Sequence, residues 1–327
     1  MKAWQVTRLG EPTDVLTLEQ VPAPTPGAGE VHVRVRATAA NFPDVLMIRG
    51  EYQVRPPLPF TPGVEICGDV LAVGDGVTHV EVGQRVAGMA AMPNGGFAEE
   101  ALLQGVSAMP VPDGVTDEAA ASLTIAYQTG WFGLHRRARL QEGEWLLVHA
   151  AAGGVGSAAV QLGKAAGARV IGVVGGPDKA EVARSLGCAA VVDRRSEDVV
   201  ARVKEITGGH GADVVYDPVG GDAYTQSTKC IAFEGRIVVV GFASGTIPAP
   251  ALNHPLVKNY GVLGLHWGLY ASKEPRALLD CHLELVRMLE EGTIAPLVSE
   301  TVPLDGMPDA LARLGAGATT GRVVLTP

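Results

Sequence analysis

The chain has 327 residues, 47% of them hydrophobic and 19% charged, with a formal net charge of −9. That length carries a soft expectation of two domains, each able to bury a core without disulfide or metal staples. The 42 glycines follow no three-residue period, which excludes a collagen-like chain. The acidity, with no polybasic run against it, speaks against nucleic acid or anionic lipid as a partner.

Along the chain, the start MKAWQVTRLG lacks the apolar stretch of a secretory leader. No apolar run reaches the roughly 18 residues of a membrane span. Cys67, Cys188, Cys230 and Cys281 are scattered without a CxxC, so neither a disulfide framework nor a cysteine-based zinc knuckle has support. A cytoplasmic protein with reduced thiols is the expectation.

The first ~120 residues read as short strands between turns. Val31 to Arg36 (VHVRVR) alternates apolar and basic side chains, the period of a half-exposed strand. Ile66 to Val73 and Arg85 to Gly88 are similar, and the prolines at 22, 24 and 26 and in PPLPFTPG interrupt any helix. From Asp117 the texture changes: DEAAASLTIAYQTGWFGLHRRA predicts one helix, with Thr116 or Asp117 as N-cap. Trp145 to Ala150, Arg169 to Val174, Val191 to Asp193, DVVYD and Arg236 to Gly241 are apolar runs separated by helical patterns. That alternation means βαβ units and a parallel, doubly wound sheet over residues 125–263. Val262 to Tyr270 (VLGLHWGLY) adds one more strand, PRALLDCHLELVRMLEEG a periodic helix, and GRVVLT a final strand. The last ~60 residues are too few for a core of their own. They are expected to return to the N-terminal lobe, giving a discontinuous domain of residues 1–124 and 264–327.

The strongest local signal is LLVHAAAGGVGSAAVQLGKAAG, where a strand leads straight into Gly153, Gly154, Val155 and Gly156 and then a small-residue helix. The dinucleotide fingerprint GxGxxG falls here as Ala151-x-Gly153-x-x-Gly156. A tight turn of this kind lets backbone N–H groups meet a pyrophosphate at a helix N-terminus. NAD sites usually carry Asp or Glu at the end of the second strand, and here Gly175 and Gly176 stand there. Lys179 and Arg194-Arg195 are placed to pair with a 2′-phosphate, so NADPH is the expected cofactor. Asp178 partly counters this, and a merely solvated Lys179 is the bland alternative.

The whole order, from Met1 to Pro327, resembles the medium-chain dehydrogenase/reductase superfamily. Within it the chain is similar to the zinc-independent NADPH:quinone oxidoreductases, the zeta-crystallin-like group. The segments that carry the resemblance are AANFPDVLMIRGEY, LPFTPGVEICGDVLAVGDGV, HAAAGGVGSAAVQLGKAAGARVIGVV, EITGGHGADVVYDPVGG and TTGRVVL. The resemblance implies an α/β chain: a GroES-like β-barrel lobe plus a Rossmann domain with a doubly wound parallel sheet, and an active site in the cleft between them. Zinc members carry a Cys near the position of Asn41 and a His before the glutamate. This chain reads Gly63-Val64-Glu65 and lacks the cysteine-rich loop, so no metal is expected. Without a Lewis acid, quinones and activated enones are the acceptors that hydride transfer reaches most readily, because the product anion is delocalised.

The resemblance also implies residue roles. Asn41 faces nicotinamide and substrate, Phe42 packs beside it, Asp44 orients the loop and Tyr52 is a candidate donor to the substrate oxygen. A tyrosine common in this loop is Leu46 here, which leaves proton delivery open. Thr129 borders the carboxamide; Val219, Val240, Gly241 and Phe242 border the nicotinamide side of the cofactor. The alternatives at this stage are that Asn41 satisfies a loop and that Tyr52 is packing. An enoyl or acryloyl-CoA-type thioester reductase is the second functional reading, and a low-turnover NADPH-binding structural or RNA-associated protein the third. The VLGLHWGLY run could pair with its copy across a two-fold axis, so a homodimer is expected. Residues 125–263 carry 14 Lys+Arg and 12 Asp+Glu, so the acidity belongs to the other lobe and the cofactor domain is mildly basic.

Overall fold

Alternation in VHVRVR buries Val31, Val33 and Val35 on one face of a strand, and the N-terminal lobe is built around it. The computed structural model describes all residues, 1–327. The chain divides into two units, Met1–Ile125 with Lys273–Leu279 and Pro296–Pro327, and Ala126–Ser272 with Asp280–Ala295.

In the first unit, β1 (Lys2–Val6) and β2 (Leu16–Gln20) form an antiparallel pair around α1 (Pro12–Val15). Four strands follow: β3 (Glu30–Ala39), β4 (Glu65–Val73), β5 (Arg85–Met89) and β6 (Glu100–Gln104). β3 pairs with β4 and β6, β4 pairs with β5, and an Ala90–Leu103 bridge joins the end of β5 to β6. These pairings close a small barrel filled by Val31, Val33, Ile66, Val70, Val86 and Leu103. Closure leaves few free edges. β7 (Met109–Pro110) extends the sheet from β5. The helix α2 (Phe42–Arg49) follows β3 and ends at Gly50, whose φ of 76° suits glycine.

The helix expected from Asp117 starts as read, with Thr116 Oγ accepting from the Ala119 N–H. It then breaks. α3 (Asp117–Ala121) stops and α4 (Thr124–Trp131) begins anew, because the Ile125 N–H in its first turn donates to the Glu65 carboxylate at 2.7 Å. A carboxylate at a helix start satisfies an orphan donor and favours a fresh N-terminus. α4 runs on into wider π-helical turns over Phe132–Arg137.

The second unit alternates β8 (Trp145–His149), α5 (Gly154–Ala165), β9 (Arg169–Val174), α6 (Pro177–Ser185), β10 (Ala190–Asp193) and α7 (Val199–Ile206). It continues with β11 (Ala212–Asp217), α8 (Gly221–Cys230), β12 (Ile231–Val239), α9 (Asn253–Lys258) and β13 (Gly261–Gly264). All pairings are parallel, in the order β10-β9-β8-β11-β12-β13. This is a doubly wound sheet whose order reverses between β8 and β11. Leu147, Ile171, Val173, Val215 and Ile237 supply its core.

The VLGLHWGLY run is strand only as far as Gly264. Beyond it the chain turns through Trp267–Leu269, and the Trp267 indole donates to Gln128 Oε1 at 3.0 Å.

After α10 (Tyr270–Lys273) and α11 (Pro275–Glu290), β14 (Val298–Pro303), α12 (Met307–Gly315) and β15 (Arg322–Thr326) complete the first unit. β15 lies antiparallel to β3 and parallel to β14. The C-terminal segment is therefore split. Asp280–Ala295 belongs to the second unit, where Gln161 exchanges two hydrogen bonds with Ala295 and Cys281 and Leu285 are buried. No helix is long and apolar enough to cross a membrane.

Candidate functional site

Parallel pairing sends the C-terminal ends of β8 to β12 to one edge, and the expected cofactor residues of the second unit other than Thr129 follow those strand ends. Gly153 is the N-cap of α5, and no side chain caps that first turn. Its N–H groups are open to an anion, and the dipole favours negative charge there. A Cβ on Gly156 would lie 2.1 Å from the Ala150 carbonyl oxygen, so only glycine permits this approach of helix to turn.

At the end of β9, Gly175 and Gly176 face the two arginines that follow β10. A Cβ at Gly175 would lie 3.3 Å from Arg194 Nη2, and one at Gly176 would lie 3.1 Å from Arg195 Nη1. Asp193 is the nearby acid, and its Oδ1 already accepts from the Gly176 and Arg195 N–H groups. Burial, and then the charges of Arg195 and Arg194, pull the Lys179 ammonium below its ordinary range. Three cations crowd one corner, and a bound dianion would relieve that crowding. Arg195 joins Lys179 and Arg194 in this corner.

At the switch point, Asp217 Oδ1 accepts from Val219 and Gly220, shaping the turn after β11. The Val240 and Gly241 N–H groups return to the Asp217 carbonyl, which brings Val219, Val240, Gly241 and Phe242 together. His149, at the end of β8, is buried against Ser227 Oγ at 2.8 Å, and burial holds its pKa below the usual imidazole value. Thr129 lies buried in α4, within the same unit.

Asn41, Phe42, Asp44 and Tyr52 belong to the first unit. Asn41 is the N-cap of α2 and Phe42 its first residue. Asp44 is fully buried and takes three backbone donors: Asn41 N–H on Oδ2 at 2.8 Å, and Gly63 and Val64 N–H on Oδ1 at 3.0 and 3.1 Å. It ties the start of α2 to the segment before β4. Burial pushes its carboxyl up to about 7 despite these donors. Tyr52 packs half-buried against the hydrophobic core, and burial together with nearby Asp44 raises its phenol pKa.

The Asn41 amide was expected to face the reacting groups, and most of its hydrogen-bonding capacity is turned inward. Nδ2 donates to the Ala39 carbonyl at 3.0 Å and to Glu65 Oε2 at 3.1 Å, while Oδ1 accepts from Arg322 Nη1 at 2.9 Å. Arg322 Nη2 also donates to Glu65 Oε2. Burial pushes the Glu65 carboxyl up, and Arg322 and the N–H donors oppose it. This buried pair joins residues 257 positions apart, and the sequence reading missed it. GVE and TTGRVVL each show an isolated charge beside apolar residues, but nothing local couples them.

No group of three or more His, Cys, Asp or Glu side chains is placed to hold a metal ion. The donor chemistry explains why zinc does not fit: Val64 has no ligand atom, and Asp44 and Glu65 are occupied by N–H groups and Arg322.

Residues 27–113 match the alcohol dehydrogenase GroES-like domain family, and residues 154–283 match the zinc-binding dehydrogenase family. A quinone oxidoreductase-like protein 2 homologue from Nematostella vectensis is 39% identical over 91% of this chain and 82% of its own length. The structure of Escherichia coli quinone oxidoreductase complexed with NADPH superposes with a TM-score of 0.93 at 32% identity, covering both chains fully. A mycocerosic acid synthase-like polyketide synthase of Mycobacterium tuberculosis is 34% identical over 96% of this chain but only 15% of its own length. The residues at the nucleotide turn, the absent zinc ligands and these relatives agree: the chain belongs to the zinc-independent, quinone oxidoreductase-like group of the medium-chain dehydrogenase/reductase superfamily.

Proposed function

We propose that this protein is an NADPH-dependent reductase of quinones or activated enones that works without zinc. The observation that carries the cofactor choice is the corner of Lys179, Arg194 and Arg195 beside Gly175 and Gly176, on a sheet with the dinucleotide order. Gly153, Gly154, Val155 and Gly156 would take the pyrophosphate at the α5 N-terminus, and Lys179, Arg194 and Arg195 the 2′-phosphate. Thr129, Val219, Val240, Gly241 and Phe242 would line the nicotinamide end, and Asn41 and Phe42 are the first unit's proposed contributors to the reaction. NADPH, when bound, supplies the hydride. Tyr52 would donate its hydroxyl proton to the oxygen of the reduced acceptor, and Asp44 would keep the preceding loop in place. The E. coli relative solved with NADPH supports this reading.

The test is NADPH oxidation with 1,4-benzoquinone, 9,10-phenanthrenequinone, an alkenal and crotonyl-CoA. Turnover with the quinones and not the thioester is the expected result. Tight NADPH binding with no oxidation of any acceptor would overturn an enzymatic role. Lys179→Ala and Arg194→Ala should raise the Michaelis constant for NADPH far more than that for NADH, and equal effects would refute the 2′-phosphate site. The second reading is an enoyl thioester reductase, which crotonyl-CoA turnover would reveal.

The oligomer proposed is a homodimer. β13 is the last strand of its sheet, and exposed Ile247, Leu252, Leu256 and Val257 lie on the segment leading to it.

A further inference from the structure

Asn41 has two N–H donors and one carbonyl oxygen in its side chain, and its neighbours fix which is which. Arg322 can only donate, and the Ala39 carbonyl can only accept. The amide is therefore oriented by chemistry as well as by packing: Oδ1 toward Arg322, Nδ2 toward Ala39 and Glu65. Glu65 and Arg322 are 0% and 4% exposed, and three separate elements, β4, β15 and the N-cap of α2, meet at this point. Arg322 Nε–H has no partner there. A buried ion pair with an orphan donor is poor evidence for stability, since an apolar replacement is often neutral or better. Its geometry suits a different task.

We propose that Glu65 and Arg322 are positioning residues that clamp the Asn41 amide so that both its N–H donors are spent inside the protein. Only Oδ1, which accepts from Arg322 and closes the capping box at the start of α2, is left to face a ligand. This rests on the reading above, in which Asn41 faces the reacting groups. It deepens that reading, because Asn41 then holds a donor such as a primary carboxamide or a hydroxyl, and cannot polarise the carbonyl of the acceptor. Donation to the acceptor oxygen falls to Tyr52.

The experiment uses the full chain carrying Arg322→Met, Arg322→Lys or Glu65→Gln, with two readouts. The first is hydrogen exchange of the Asn41 side-chain amide by NMR, its signal identified by its loss in Asn41→Ala. Protected amide protons are expected in the wild type, and exchange roughly tenfold faster or more in Arg322→Met and Glu65→Gln. The second is the single-turnover rate of oxidation per bound NADPH across the same acceptors. It should fall roughly tenfold in Arg322→Met and Glu65→Gln and recover to within about threefold in Arg322→Lys. A purely structural role would lower the folded fraction and leave the rate per bound NADPH unchanged. That unchanged rate would overturn the proposal, as would unaltered amide exchange, or Arg322→Lys as slow as Arg322→Met. Should Arg322→Met fail to fold, Arg322→Lys and Glu65→Gln still decide it. A wild type that binds NADPH and reduces none of the acceptors would refute the reductase reading instead, and amide exchange alone would then judge the clamp.

Discussion

Asp44 shows how a single buried group leaves a measurable trace. Its carboxyl is pushed up to about 7 by burial, against an unfolded value of 3.8. Between those values the folded protein holds a proton that the unfolded chain has released, so stability falls as pH rises through this window. The slope from this group is at most about 1.4 kcal/mol per pH unit. Urea unfolding at pH 4.5, 6 and 7.5 should show the advantage of wild type over Asp44→Asn shrinking as pH rises. A constant difference would show that Asp44 is ionised throughout. Gly156 gives a second test at the same scale. Gly156→Ala places a methyl 2.1 Å from the Ala150 oxygen, a backbone atom that cannot swing aside. We expect a loss of about 1–3 kcal/mol in stability and a large drop in NADPH affinity, by urea unfolding and fluorescence titration.

At the scale of elements, the proposed nucleotide preference rests on the end of β9. A carboxylate introduced as Gly175→Asp would stand beside Arg194, pair with it and repel a 2′-phosphate. The NADPH dissociation constant should rise by about tenfold or more while that for NADH improves. Unchanged NADPH affinity would place the phosphate elsewhere. The strand itself was legible. Arg169 to Val174 was read from its apolar run, and β9 has those limits. The break between α3 and α4 was not, because helix formers continue through Ser122 and Leu123 and the deciding acceptor is Glu65, distant in sequence. β14 was missed too: VSETVP alternates weakly, and its pairing with β15 makes it a strand.

For the whole molecule, the proposed homodimer is the feature most exposed to test. Leu252, Leu256 and Val257 are 79%, 76% and 77% exposed, which is unusual for neighbouring large apolar residues in one short helix and its cap. Leu256→Lys with Val257→Lys should convert a dimer to a monomer in analytical ultracentrifugation at micromolar concentration while leaving NADPH affinity intact. A wild-type monomer under the same conditions would remove the proposal.

Whatever is written in short-range pattern is legible in the chain before it folds. The period-2 strands, the alternation that makes a parallel sheet, the glycine turn at Gly153 to Gly156 and the absence of a carboxylate at Gly175 and Gly176 all lie within a few residues of one another. Backbone geometry and local charge act at that range, so these features survive without a fold. Folding settles what depends on residues brought together from far along the chain. It joined Glu65 to Arg322 around Asn41, placed Arg195 beside Gly176, and assigned Asp280–Ala295 to the second unit. Those partnerships form where burial removes water and leaves each polar group to find its match inside the protein, and no local pattern records which match it finds.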